Sequence, residues 1–177
     1  MKKVKGIIAS VLVVTMMFSL TSCGSVKKID DKDLEDAFED VFDWDEDDND
    51  YYESDDYEKW ATNFDDPDDP FIYDLDQYIS GYDSDDDGYM SVSYSVFEDS
   101  EDADEYFGYY YEAFAAGDKE VEKSYHSGRN GYYISYNEKD RFFAVYFCDD
   151  MIIEVAASGD DYTNQMNKFL KTLGLPH

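Results

Sequence analysis

Cysteine is nearly missing from this chain of 177 residues, which has only Cys23 and Cys148. Two cysteines so far apart supply no disulfide framework. Positive charge is also scarce, with 14 Lys and Arg against 44 Asp and Glu and a formal net charge of −30. A chain this anionic repels phosphate backbones, which excludes a nucleic-acid partner. Long apolar runs are absent as well. The longest, Gly6 to Leu20, holds about 15 residues, short of the ~20 that a spanning helix requires. Proline occurs three times, and Pro67 and Pro70 interrupt structure together. No spacing of nucleophile, base and acid stands out as catalytic. What the chain has in abundance is aromatic material, 18 Tyr and 12 Phe, enough to build a core despite the acidity.

The N-terminus has a three-part plan. Lys2, Lys3 and Lys5 form a positive segment, the apolar run follows, and small residues then precede Cys23. Leu20-Thr21-Ser22-Cys23 resembles the lipobox of bacterial lipoprotein signal peptides, residue for residue. The resemblance implies that residues 1–22 are a cleaved signal peptide and that the Cys23 sulfur carries a diacylglyceryl group. Two acyl chains hold a protein to a bilayer stably where one is marginal, at ~0.8 kcal/mol per buried CH₂. It further implies a cell-envelope protein on the extracytoplasmic face of the membrane, with the membrane itself as first partner. Loss of residues 1–22 removes three lysines and no acid. The remainder has 11 basic and 44 acidic residues, a charge of −33. Mutual repulsion at that charge favours a monomer.

Residues 23–29 are expected to be a lipidated tether, with Lys27 and Lys28 near anionic headgroups. Residues 30–88 are expected to be an N-terminal helix and an acidic, partly disordered segment. The helix covers 30–42, with Leu34, Ala37, Phe38, Val41 and Phe42 on one face and Asp30 or Asp31 as cap. Between Asp30 and Asp87 stand 27 acids against Lys32 and Lys59 alone. Residues 43–56 accordingly favour loop or disorder. Short helices are expected at 57–64, from Tyr57, Trp60, Ala61 and Phe64, and at 74–80, from Leu75, Tyr78 and Ile79.

Regular structure is expected from 89 to 177. Met90, Val92, Tyr94 and Val96 alternate with Ser91, Ser93 and Ser95, a strand with one buried face. A helix capped by Ser100 and ended by Gly117 follows. Asn130-Gly131 marks a turn, and strands at 132–136, 141–148 and 151–157 form a meander. A last helix carries Tyr162, Met166, Phe169, Leu170 and Leu173. The fold class is therefore α+β: an antiparallel sheet of about four strands with amphipathic helices packed on one face. This order and composition look like those of small lipoproteins of Gram-positive gut bacteria, a likeness that lends no activity.

Asp83-Ser84-Asp85-Asp86-Asp87-Gly88 has the D-x-D-x-D-G opening of a calcium loop. Asp83, Asp85 and Asp87 are the candidate ligands for Ca²⁺. The ninth and twelfth loop positions hold Ser91 and Tyr94, where an EF-hand has a ligand and a bidentate Glu. Asp45, Asp47 and Asn49 make a weaker copy, with Asp50 in place of the glycine. Diffuse recruitment of divalent cations by the whole block is the broader expectation. His126 lies in Tyr125-His126-Ser127-Gly128 with nothing to place it beside a nucleophile, and Cys148 suits a buried small hydrophobe. The function expected is thus a membrane-anchored, non-enzymatic lipoprotein whose acidic domain binds a partner. A basic peptide, a basic protein surface or a glycan would suit exposed tyrosines beside acids. The alternative is a calcium-responsive surface module.

Overall fold

A computed structural model describes residues 26–45, 51–61, 63, 66, 68–115, 120–126, 129–137 and 141–177, with backbone placement alone for 113–115, 120–123, 125–126 and 136–137. Helix α1 (Asp31–Phe42) begins where the Asp30 carboxylate accepts from the Asp33 N–H, and it ends at Asp43 in the left-handed conformation. Strands β1 (Tyr51–Ser54), β2 (Tyr57–Ala61), β3 (Phe71–Asp85) and β4 (Gly88–Phe97) follow. Then come α2 (Ser100–Ala115), strands β5 (Glu120–His126), β6 (Asn130–Asn137), β7 (Arg141–Cys148) and β8 (Met151–Ser158), and α3 (Asp160–Thr172).

All eight strands belong to one antiparallel sheet of seven positions, because β1 and β2 share the edge of β3. Across the sheet the order is β1/β2, β3, β4, β8, β7, β6, β5. Helix α2 therefore carries the chain from the β4 side to the far edge, and the β5–β8 meander walks back until β8 pairs with β4. The sheet is larger than the expected four strands, and its helices lie on both faces rather than one. Alternation along β7 shows this directly. Phe142, Ala144 and Tyr146 join the core with α1 and α3, whereas Val145 and Phe147 join the core with α2.

The α1/α3 face is closed by a cluster of rings. Phe38 stacks on Phe169 at 5.4 Å, and Phe42 lies 4.9 Å from Phe169 and 4.6 Å from Trp44. Trp44 passes directly over Gly81, where any Cβ would overlap its indole. On the other face, Phe107 of α2 stacks on Phe147 at 5.4 Å, and Tyr106 packs on Phe97 at the same separation.

The acidic segment differs most from expectation. Residues 51–54, 57–61 and 71–85 are strands, not loop and short helices. Tyr57, Lys59 and Ala61 share the inward face of β2, so the helix-like spacing of Tyr57, Trp60 and Ala61 was coincidental. The inward residue at the middle of that strand is a lysine, which hid the alternation. In β3 the register shifts between Leu75 and Gln77. One extra residue flips the alternation there, and Leu75, Tyr78 and Ile79 then mimic a helix.

Smaller corrections concern caps and turns. Asp99, not Ser100, caps α2, its carboxylate accepting from Glu101 N–H at 2.8 Å. Asn130 and Gly131 lie inside β6 rather than in a turn. Residues 26–29 are docked rather than tethering: Val26 and Ile29 are buried, and Tyr94 donates its hydroxyl to the Ile29 carbonyl at 3.1 Å. Gly117, Asp47, Asn49, Asp50 and Cys23 lie outside the described residues.

Candidate functional site

The serine stripe of β4 sets up the most distinctive surface. Its opposite face is wholly apolar, so Ser91, Ser93 and Ser95 must point to the α2 side. Residues paired across antiparallel neighbours share a face. Reading the register from β3 to β7 gives the row Tyr82, Ser91, Ala156, Phe143. The next row toward α2 is Ser80, Ser93, Glu154, Val145. Short side chains thus lie between two aromatic ones, and the walls stand three strand spacings apart, about 14 Å. Among the described residues, helix α2 packs over the end of this face nearest Phe97 and over β7 and β6, through Phe107 on Phe147 and Tyr111 on Tyr133. The uncovered part is a trough of about 360 Å³ lined by Tyr78, Ser80, Tyr82, Ser91, Ser93 and Phe143 with Glu154.

At the inner end of the trough sits a polar node beneath α2. Lys59 of β2 is 8% exposed, buried by the rings around it. Its ammonium pairs with a Glu154 carboxylate oxygen and donates to the Ser95 hydroxyl at 2.9 Å. It also lies 5.0 Å from the Tyr106 ring centre and 5.5 Å from that of Tyr78. The same Glu154 oxygen accepts from Ser93 at 3.1 Å, and the other accepts from Tyr106 at 3.1 Å. Both carboxylate oxygens are therefore engaged. Burial first, and then the Glu154 charge, hold the Tyr106 hydroxyl far above the ordinary phenol range. The same two causes, in the same order, raise Tyr110, whereas for Tyr78 burial is again foremost and Ser80 opposes it.

The node does not have the form of a catalytic pair. Ser95 sits beside an amine, as in a Ser–Lys hydrolase arrangement. But Ser95 is wholly buried, and its lysine neighbour is ion-paired to Glu154. The node ties edge strand β2 to β4 and β8 instead.

The aromatic wall continues along β1 and β3. Tyr57 stacks on Tyr78 at 4.3 Å, Tyr52 lies 6.1 Å from Tyr78, and Tyr82 stacks on Tyr89 at 6.5 Å. Tyr82 is 52% exposed, so its ring is available to a ligand.

The expected calcium residues lie elsewhere. Asp83 and Asp85 end β3, and Asp86 and Asp87 form the hairpin turn into β4. The Asp85 carboxylate accepts from the Asp87 and Gly88 N–H groups at 2.8 and 3.1 Å, so it is spent partly on closing the turn. Asp83, Asp85 and Asp87 border a recess of about 500 Å³ together with Asp160 and Asp161 at the start of α3. Gly159 shapes that recess with φ +89°, a conformation that side chains disfavour. Among the described residues, no three acidic, histidine or cysteine side chains gather as a metal-holding group. His126 falls on β5, and its side chain lies outside the description. Cys148 is half-buried, and burial foremost, then Asp149, pushes its thiol up, away from reactivity. A recess of about 400 Å³ is lined by Phe38, Trp44 and Tyr51 with the acids Glu35, Asp36, Glu39 and Asp45.

Sequence reasoning missed Lys59, Glu154, Tyr106 and the trough. Three signals pointed to them: a lone lysine deep in the acidic block, a single charge in the apolar run 151–157, and serine at every second place of β4. No described helix is long and apolar enough to cross a membrane. No family model, curated protein or solved structure matches the chain.

Proposed function

We propose that this is a lipid-anchored, non-enzymatic binding protein of the bacterial cell envelope. Cys23 carries the anchor, and the trough beside α2 receives the ligand. The observation that carries the binding half of this reading is the bare sheet face. Among the described residues, part of the α2 side of the sheet is left open as a trough, floored by small side chains and walled by Tyr82 and Phe143. Tyrosine supplies broad contact at low entropic cost, and serine supplies adaptable hydrogen bonds. The mature charge of −33 restricts the ligand to an uncharged or cationic one.

The anchor rests on the order of positive segment, apolar run and lipobox in residues 2–23. Mass spectrometry of protein extracted from membranes tests it. A thioether-linked diacylglyceryl group on an N-terminal Cys23 is the expected result. In a Cys23→Ser variant, the protein should leave the membrane fraction. Unchanged membrane attachment of that variant would remove the location and the anchor together.

A second reading, a cation-responsive module, is favoured by the pooling of Asp83, Asp85, Asp87, Asp160 and Asp161 around one recess. Their carboxylates repel one another, and a divalent cation entering the recess relieves that repulsion.

A further inference from the structure

We propose that the trough binds a neutral saccharide, taking two or three sugar units of an extended β-linked chain. This deepens the binding reading above and rests on it. Four features of the site specify the ligand.

The first is the floor. Ser91 offers a hydroxyl able both to donate and to accept, while Ser93, which donates to Glu154, and Ser80, which is hydrogen-bonded to Tyr78, add hydroxyl oxygens that are partly engaged. The backbone groups beneath them are consumed in the ladders of β3, β4 and β8. An extended peptide gains its affinity by adding to an unpaired strand edge. This floor is the face of a central part of the sheet and has no such edge, so side-chain hydroxyls are the polar contacts it offers. A polyol matches that supply.

The second is the pair of walls. Tyr82 and Phe143 occupy opposite ends of one cross-strand row, with only Ser91 and Ala156 between them. The strands that carry these two rings are about 14 Å apart, which leaves room for one ribbon of sugar rings between the walls. The apolar faces of a pyranose ring pack on aromatic faces, while its edge hydroxyls reach the floor.

The third is size. A cavity of about 360 Å³ is at the small end for ligand sites. An open trough of that volume holds part of a longer chain.

The fourth is charge. Glu154 is already neutralised by Lys59, so the trough itself demands no counter-charge. The surrounding −33 repels sulfated, phosphorylated or uronic-acid polymers, and it also opposes a second copy of this chain as occupant.

The test is calorimetric titration of the full protein, in micelles of a sugar-free detergent, with chitotetraose and with cellotetraose. At least one should bind with a Kd between 10 µM and 1 mM, a flat dependence on salt being expected of an uncharged ligand (about the range of a small open site). Tyr82→Ala should weaken binding tenfold or more, and Ser91→Tyr, which fills the floor, should abolish it. Circular dichroism and the melting midpoint of both variants should stay close to those of the parent, since Tyr82 is on the surface. Tetralysine is titrated in parallel. Tetralysine binding that depends on Tyr82, with neither sugar bound, would overturn the saccharide and leave the binding trough standing. Sugar binding that ignores both substitutions would overturn the trough as its place. No binding of any of the three would overturn both.

Discussion

Lys59 and Glu154 meet beneath α2 although they are 95 positions apart in the chain, and their ion pair joins β2 to the centre of the sheet. Removing one partner leaves a charge in a nearly dry site. Lys59→Met and Glu154→Leu should each cost about 3 kcal/mol in urea unfolding. The double variant should cost less than the two together, with a coupling of about 2 kcal/mol. Strict additivity would mean that the two groups stabilise the fold independently.

Alkali should unfold the protein through its buried tyrosines. Tyr73 is pushed up from 10.0 to about 12, by burial foremost and then by Glu105 and Asp102. Tyr106 and Tyr94 are raised further, also by burial first. A raised folded pKa favours the neutral hydroxyl in the native state. The associated stability is complete below pH 10 and declines as pH climbs toward 12. Melting midpoints should fall over that window, and the phenolate absorbance of these rings should grow in step with loss of near-ultraviolet dichroism.

Gly81 leaves space for the Trp44 ring and for nothing more. Gly81→Ala should cost about 1–3 kcal/mol by forcing the indole aside. In a Trp60→Phe background, which silences the exposed second tryptophan, the emission of Trp44 should move to the red. Unchanged emission would place the indole elsewhere.

Calcium separates the two readings of the hairpin. The recess lined by Asp83, Asp85 and Asp87 should give a shallow titration that weakens with added salt and survives Asp85→Ala. A stoichiometric isotherm abolished by Asp85→Ala would instead favour the cation-responsive module.

Tyr94→Phe should free the segment ahead of α1. Loss of the hydroxyl that holds the Ile29 carbonyl should cost about 1 kcal/mol. Limited proteolysis between residues 26 and 30 should accelerate in proportion.

The regular half of the fold was legible because its patterns were undisturbed. Met90 to Phe97 alternates, Arg141 to Cys148 and Met151 to Ser158 run apolar apart from Arg141 at the start of one and Glu154 within the other, and the stripes of α1 and α3 are clean. The acidic half was not legible, for two physical reasons. A buried lysine at position 59 inverted the apparent polarity of β2, and a bulge near Leu75 broke the period of β3. Both come from partners distant in sequence. Glu154 neutralises the lysine, and β4 pairs with β3 on both sides of the bulge. The trough could not be read either, since its walls, Tyr82 and Phe143, become neighbours only through the return of β8 to β4.

With the proposed anchor on Cys23, the docking of the first described residues would set how the molecule stands. Ile29 meets the Met151 sulfur at 3.2 Å, and Lys28 bridges to Asp150 at 2.5 Å, so the chain enters beside the β7–β8 turn. Only Gly24 and Ser25 separate Cys23 from the buried Val26, a leash of about 11 Å at full stretch. Acyl chains on Cys23 would then press that turn against the headgroups and leave little freedom to tumble. From Met151 to Ser158, β8 rises away from this foot by about 24 Å. The mouth of the trough, at Tyr82 and Ala156, would look outward from the cell, toward whatever polymer lies above the bilayer.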